Sequence, residues 1–201
     1  MCVSCRLTIV NKQGDMCKIC DPASKTQARV RESKMAATLG EWAKKDLIPM
    51  YDRWNKRNPM ADPVQCGRYR PDFVFEWAEG VLLLEYDEQM HSDRIQRCEL
   101  VRMLEATHGY GGRPVFWIRY NPDAFKVAYK TLTTSTKQRE AVLLKMLQDM
   151  IGDADYDHFL TVSYVCYHKP ERTGDDLVQT FKFTSEEAYE EWVDTVAPES
   201  A

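Results

Sequence analysis

Apolar and polar positions repeat along the first half of the chain in patterns that predict helices and strands. Residues 25–45 carry apolar side chains at spacings of three and four, which predicts one long amphipathic helix. Residues 68–77 are rich in aromatic and β-branched side chains, which is typical of a strand. After a short turn at 78–80, residues 81–87 are apolar until they reach two carboxylates, so we predict a buried central strand that ends in a polar site.

The second half continues with alternating segments of both kinds. We predict a helix at 92–105, a strand at 114–120 broken by Asn121-Pro122-Asp123, a helix at 137–150, strands at 160–167 and 177–183, and a helix at 186–193. Thr184 or Ser185 is expected to cap the last helix. The order of helix, strand, strand, helix and strand around the carboxylates predicts a mixed α/β layered domain.

Charge is distributed unevenly. The net charge is -4, but residues 1–70 hold 14 Lys and Arg against 7 Asp and Glu, whereas residues 71–201 hold 13 against 24. A basic first part and an acidic second part fit a metal-carboxylate centre beside a phosphate-binding surface, although charge also varies along any sequence. No run is apolar enough to span a membrane, and the N-terminus has no signal-peptide pattern, so we expect an intracellular protein, nuclear or cytoplasmic or viral.

Four cysteines form two pairs near the N-terminus. Cys2 and Cys5 form one CxxC pair, and Cys17 and Cys20 form the second after eleven intervening residues. Four thiolates at this spacing are typical of a structural zinc site, and metal binding would supply the folding energy of so small a module. The alternatives are four unrelated cysteines or two disulfides. The remaining cysteines, Cys66, Cys98 and Cys166, are scattered and are expected to be thiols.

Three carboxylates lie close together on the predicted strands. Asp72 is on the first strand, and Glu85 and Asp87 are two positions apart on the next, so the last two share a face. A short turn makes the strands antiparallel neighbours and brings Asp72 near the same spot. Crowded carboxylates repel unless a cation lies among them, and hard oxygen ligands select Mg²⁺ or Mn²⁺. The alternative is a solvated acidic strand end with a salt-bridge partner.

The segments Arg70–Phe73 and Glu85–His91, separated by an apolar strand, resemble the PD-(D/E)XK nuclease superfamily, in particular the branch close to very-short-patch DNA repair endonucleases. Similar chains with an N-terminal CxxC pair occur in algae and large DNA viruses. The resemblance covers residues 1 to about 127. It implies a restriction-endonuclease-like α/β fold, with a mixed central sheet flanked by helices and a small N-terminal zinc ribbon.

The resemblance also implies a division of the chain and roles for its residues. A zinc module would occupy 1–22 and the nuclease core 23–127. The resemblance does not cover residues 128–201, which we expect to form an α/β extension of the same domain. Asp72 and Glu85 would bind the metal, helped by a helix glutamate. We favour Glu32, which shares a stripe with the apolar helix positions, over Glu41; the alternative is that Glu32 only stabilises the helix dipole.

One position departs from the family pattern. The usual lysine of the third motif is Asp87 here. The related branch suggests that Asp87 is a third magnesium ligand, and His91 then becomes the candidate general acid or base. The alternative for His91 is a structural or exposed residue.

These observations lead to one function and one rival. We predict a Mg²⁺-dependent endonuclease, a hydrolase of DNA phosphodiester bonds, with RNA not excluded as a substrate. The rival is a degenerate nuclease fold that serves as a zinc-containing nucleic-acid or protein binding module. Arg119 is expected either to hold a phosphate or to pair with the acidic cluster. The other candidate nucleic-acid contacts are Lys34, Lys44, Lys45, Arg53, Lys56 and Arg57.

Overall fold

A computed structural model describes residues 25–53, 71–91, 96–132, 134–152, 156–168 and 177–198. Within these ranges the helices are α1 (Lys25–Lys44), α2 (Gln96–His108), α3 (Thr136–Gly152) and α4 (Glu186–Val196), with a short 3-10 helix at Glu88–His91. The strands are β1 (Asp52–Arg53), β2 (Phe73–Glu76), β3 (Val81–Tyr86), β4 (Val115–Tyr120), β5 (Phe125–Val127), β6 (Lys130–Leu132), β7 (Leu160–Val165) and β8 (Val178–Phe183).

Six of these strands form one mixed sheet in the order β1-β2-β3-β4-β7-β8. The pairs β1–β2, β2–β3 and β7–β8 are antiparallel, whereas β3–β4 and β4–β7 are parallel. Helix α2 connects β3 to β4, as a parallel pair requires a crossover. The prediction of an α/β fold with a mixed sheet flanked by helices is therefore confirmed.

Helices cover both faces of the sheet. Helices α1 and α3 contribute buried residues to the core on one face, where Leu82 and Leu84 lie. Helices α2 and α4 contribute to the core on the other face, where Leu83 lies. All six residues of β4 are buried, as expected for a central strand covered on both sides. Burying each of these leucines contributes about 1.5–3 kcal/mol to folding.

Most predicted elements are present with small shifts at their ends. The predicted strand at 81–87 is β3, which ends one residue earlier, and the predicted helix at 92–105 is α2, which continues to His108. Ser185 caps α4, since its side chain accepts a hydrogen bond from the Ala188 N–H. The part of the chain after residue 127 supplies β7 and β8 to the same sheet as β2 and β3.

The β5–β6 hairpin was not predicted. Val127 pairs with Lys130, so Ala128 and Tyr129 form the turn, with φ of 47° and 64°. Such turns normally carry Asn-Gly, because left-handed backbone costs other residues about 1–2 kcal/mol each. Because the sequence has no Asn-Gly pair at this position, it gives no local indication of a hairpin. The boundary predicted at 127/128 lies within this turn.

The three cysteines outside the CxxC pairs differ in their state. Cys98 is disulfide-bonded, so the expectation of a thiol at this position is wrong; sequence separation does not show which cysteines meet in the fold. Cys166 is a buried thiol, and Cys66 lies outside the described residues. No helix in the described ranges combines the length and the apolar composition needed to cross a bilayer.

Candidate functional site

Asp72 and Glu85 face each other where β2 and β3 meet. Phe73 is opposite Leu84 in the antiparallel pair, so the next positions, Asp72 and Glu85, are also opposite each other. Their side chains share a hydrogen bond. The backbone N–H of Tyr86 donates to Oδ2 of Asp72 over 2.9 Å and fixes the carboxyl group. The structure therefore brings the two predicted metal ligands together.

Electrostatics at this pair favour a proton or a cation. Burial raises the pKa of Asp72 from 3.8 to about 6, although the hydrogen bonds with Glu85 and the Tyr86 N–H act in the opposite direction. The negative charges of Glu32 and Asp87 add to the increase. Glu85 itself is only 5% exposed. Two such carboxyl groups do not readily carry two full charges without a positive partner.

Glu32 reaches this region from α1. Its neighbours on the helix stripe, Met35, Leu39 and Ala43, are buried against the sheet, which orients the half-buried Glu32 toward the same side. The effect of its charge on Asp72 shows that the two groups are near each other. By contrast, Glu41 is exposed and pairs with Lys44 at 3.1 Å.

Asp87 is fully buried and has different partners. The Nε of Arg119 lies 2.5 Å from Oδ2 of Asp87, and the hydroxyl of Tyr167 donates to the same oxygen. Of the two roles predicted for Arg119, the structure shows the ion pair with the acidic cluster. The Arg119 side chain is buried. Arg119 and Tyr167 both bond to Oδ2 of Asp87, and the role of Asp87 as a third magnesium ligand stays a prediction.

The ion pair extends into a buried network on α2. Arg119 also contacts Glu99 at 3.1 Å, and Glu99 contacts Arg102 at 2.7 Å. Burial alone would lower the pKa of Arg119, but the charges of Asp87, Tyr167 and Glu99 raise it well above its ordinary value. Burial and the charge of Asp87 raise the pKa of Tyr167 in turn.

Sequence reasoning missed Glu99, Arg102 and Tyr167 as members of this network. The spacing of three between Glu99 and Arg102 on α2 is a signal for an ion pair, but it does not show that the pair is buried. Tyr167 carries no signal of its own, since its position depends on how β7 joins the sheet.

His91 lies at the end of the 3-10 helix that follows Asp87. Its side chain, like that of Gln89, is outside what the structure describes, so its role in proton transfer stays a prediction. The neighbouring Met90 is placed by a contact of its Sδ with the backbone N–H of His168, at 3.4 Å. The segment after β3 therefore lies beside the segment after β7.

The predicted basic surface is described only in part. Lys34, Lys44 and Lys45 are exposed on or just after α1. Lys44 pairs with Glu41, as noted above. The side chain of Arg53 and all of Lys56 and Arg57 lie outside the described residues, and so do the four predicted zinc ligands, Cys2, Cys5, Cys17 and Cys20.

Asp72 and Glu85 are the candidate oxygen donors for a divalent cation. In the described ranges no three His, Cys, Asp or Glu side chains are grouped as a metal centre. Asp72 and Glu85 form a pair of oxygen donors that already shares a hydrogen bond, and a hard cation would replace that bond with two charge interactions. The chemistry of the pair therefore fits a hard divalent cation such as Mg²⁺ or Mn²⁺, which Asp72 and Glu85 would hold.

Comparisons with known proteins do not extend this picture. No protein-family model matches the chain, and no curated protein or solved structure matches it. The resemblance to PD-(D/E)XK nucleases therefore depends on the residues of the two motifs themselves.

Proposed function

We propose that this chain is a metal-dependent endonuclease that hydrolyses phosphodiester bonds of DNA, on a fold of the restriction-endonuclease-like type. The observation that carries the proposal is the Asp72–Glu85 pair. These two residues lie opposite each other where β2 and β3 meet, and their side chains share a hydrogen bond. An antiparallel strand pair that bears these residues, followed by a helix and a parallel strand, is compatible with the resemblance.

Asp72 and Glu85 would hold Mg²⁺ or Mn²⁺. When bound, such an ion lowers the pKa of a water and neutralises charge on a phosphodiester. The Tyr86 N–H orients Asp72 through its hydrogen bond. Glu32, on α1, adds negative charge near the pair and would orient a water molecule. His91 stands four residues after Asp87 and is proposed to move a proton.

Asp87 and Arg119 have a supporting role in this proposal. Their ion pair ties the segment just after β3 to β4, two residues beyond Glu85. A fixed end of β3 keeps the Glu85 carboxylate in position, which matters because catalytic groups tolerate little misplacement. The position that carries a lysine in the family is therefore used here to position Glu85.

We further propose that the Cys2, Cys5, Cys17 and Cys20 thiolates bind one structural zinc ion. Four thiolates leave no open coordination position for chemistry. The zinc module would then stabilise the N-terminal region and leave hydrolysis to the carboxylate pair.

A specific observation also favours the rival function, a non-catalytic nucleic-acid or protein binding module on a degenerate nuclease fold. The family lysine is absent, and its replacement, Asp87, is engaged in a buried ion pair. A protein that had lost the water-activating group would keep the fold and a binding surface without hydrolysis.

A cleavage panel separates the two functions. Labelled single-stranded, duplex, mismatched and branched DNA, together with RNA, are incubated with the protein in Mg²⁺ or Mn²⁺. Cleavage is expected for the unmodified protein and should be lost in Asp72→Asn and Glu85→Gln. The matched control Glu41→Gln, an exposed carboxylate on α1, should cleave normally. Cleavage that persists in Asp72→Asn or Glu85→Gln would show that the site is assigned wrongly, and no cleavage of any substrate would favour the binding module.

A further inference from the structure

The tip of the β5–β6 hairpin exposes an aromatic ring. Tyr129 is 86% exposed, the highest value among the large hydrophobic side chains of the described ranges. It is one of the two turn residues, between Val127 and Lys130. Single exposed apolar residues are common on protein surfaces, but this ring is presented at the tip of a hairpin that the core holds in place.

The turn does not need this ring. Ala128 and Tyr129 both have positive φ, a conformation that Asn and Gly adopt with less strain than alanine or tyrosine. A turn selected only for stability would carry Asn and Gly at these two positions. Local strain that stability does not require is a feature of functional segments.

The hairpin is held on a rigid base. Phe125 and Val127 are fully buried in the core. The guanidinium of Arg139 donates hydrogen bonds to the carbonyl oxygens of Pro122 and Asp123 before the hairpin, and of Thr134 after it. Both ends of the hairpin are therefore fixed by one side chain, and the ring at the tip is presented without a large ordering cost.

The hairpin starts from the same end of the sheet as the carboxylate pair. Its Lys126 N–H donates to Nδ1 of His168 over 2.9 Å, and the His168 N–H contacts Met90, three residues after Asp87. Tyr129 lies three residues after Lys126, in the turn that closes the same hairpin.

The charged side chains of the hairpin are all positive. Between Phe125 and Leu132 the sequence contains two lysines and no carboxylate, in a chain whose net charge is -4. Lys126 and Lys130 are both exposed on either side of the turn. An exposed ring between two exposed cations matches the chemistry of a nucleic-acid strand, whose bases stack on aromatic side chains while phosphates pair with lysine.

From these observations we infer that Tyr129 is a base-stacking residue, and that the hairpin binds an unpaired or unstacked nucleotide with Lys126 and Lys130 on the adjacent phosphates. The inference rests on the proposed function for the class of substrate and deepens it. The substrate would be a nucleic acid that presents an accessible base, such as a single strand.

Binding of fluorescein-labelled oligonucleotides without Mg²⁺ or Mn²⁺, followed by anisotropy, tests the inference. Tyr129→Ala should weaken binding of a single strand by roughly 5- to 150-fold, the usual range for one base-stacking ring. Tyr129→Phe keeps the ring and should restore binding. Met50→Ala, which truncates another exposed side chain (78% exposed), should bind as the unmodified protein does. Removing Lys126 and Lys130 together should lower the slope of log affinity against log salt by roughly 1.5.

A second variant keeps the test independent of folding. Ala128→Asn with Tyr129→Gly suits the turn, so this double variant should have a higher melting temperature than the unmodified protein and yet bind single strands as weakly as Tyr129→Ala. A structural role for Tyr129 predicts that stability and binding change in the same direction, and that result would overturn the inference.

The outcomes also separate this inference from the proposed function. If the unmodified protein binds through Tyr129 but cleaves nothing, the inference stands and the nuclease proposal fails. If cleavage depends on Asp72 while Tyr129→Ala binds normally, the nuclease proposal stands and the inference fails, which would leave the ring to a protein partner. Failure of the unmodified protein to bind any oligonucleotide would also overturn the inference.

Discussion

Arg119 lies opposite Glu85 in the sheet, yet its guanidinium bonds to Asp87, two residues further along the chain and just past the end of β3. The carboxylate next to the proposed metal ligand is thus neutralised from the neighbouring strand. This relationship separates two acidic groups that are close in sequence: Glu85 pairs with Asp72, whereas Asp87 belongs to the buried network with Glu99. It also supplies the first prediction.

Breaking the Asp87–Arg119 pair should destabilise the fold strongly. Arg119→Met leaves the buried Asp87 charge without its main partner, which typically costs about 3–5 kcal/mol. Urea unfolding followed by circular dichroism measures the change in the free energy of unfolding. Lys145→Ala, which removes a partner from the exposed Lys145–Asp149 pair, is the control and should cost less than about 1 kcal/mol. A loss below about 1 kcal/mol in Arg119→Met would contradict the buried network.

Asp72 should make the metal-free protein less stable at neutral pH. Its folded pKa of about 6 exceeds the ordinary value of 3.8, so the folded state holds the proton more tightly than the unfolded state. The stability gained from this group is complete below pH 3.8 and is lost as pH rises through about 6. Asp72→Asn removes the charge and should raise the free energy of unfolding at pH 7 by about 1–3 kcal/mol.

The measurement is urea unfolding at pH 4.5 and pH 7, in buffer without magnesium or manganese. The stabilisation by Asp72→Asn should be larger at pH 7, and Glu41→Gln should show no such difference. Adding Mg²⁺ should stabilise the unmodified protein and not the variant, because only the former keeps the ligand pair. An Asp72→Asn protein that is less stable at pH 7 would count against the crowded pair.

His91 is predicted to transfer a proton during hydrolysis. His91→Ala should then lower the cleavage rate by roughly 100-fold or more, the usual scale of general acid-base catalysis. Affinity for Mg²⁺, measured by calorimetry, should be unchanged, since Asp72 and Glu85 remain. If the variant loses metal affinity, His91 is a ligand instead; unchanged rate and affinity would show that it has neither role.

The N-terminal cysteines are predicted to hold about one zinc ion per chain. Elemental analysis of freshly purified, reduced protein tests this, with Cys17→Ser expected to lose the ion and Cys166→Ser, at a buried thiol outside the two CxxC pairs, expected to retain it. Absence of zinc in the unmodified protein would leave unrelated cysteines or disulfides as the explanation.

The sequence allowed good prediction where the signal is local. The apolar run before Glu85 predicted β3, and the short turn at 78–80 predicted its antiparallel partner, so the approach of Asp72 and Glu85 followed. Helical spacing predicted α1 and the side on which Glu32 lies. Each of these depends on residues near each other in sequence.

Other features depend on distant contacts and could not be predicted in that way. Arg119 had two possible roles until the position of Asp87 relative to β4 was known. The β5–β6 hairpin is stabilised by Arg139 and by the burial of Phe125, and its turn residues oppose local preference. Tertiary contacts outweigh turn propensity at this hairpin.

The central position of β4 has a consequence for how the chain can be shortened. Its two neighbours, β3 and β7, come from opposite sides in sequence, and the second is synthesised only after α3. A fragment ending at Val127 would leave one hydrogen-bonding edge of this wholly buried strand open, and such an edge invites association between molecules. A chain that ends at Val127 would therefore lack the strand that pairs with the second edge of β4, and a ribosome-bound chain completes the centre of this sheet only once β7 has been synthesised.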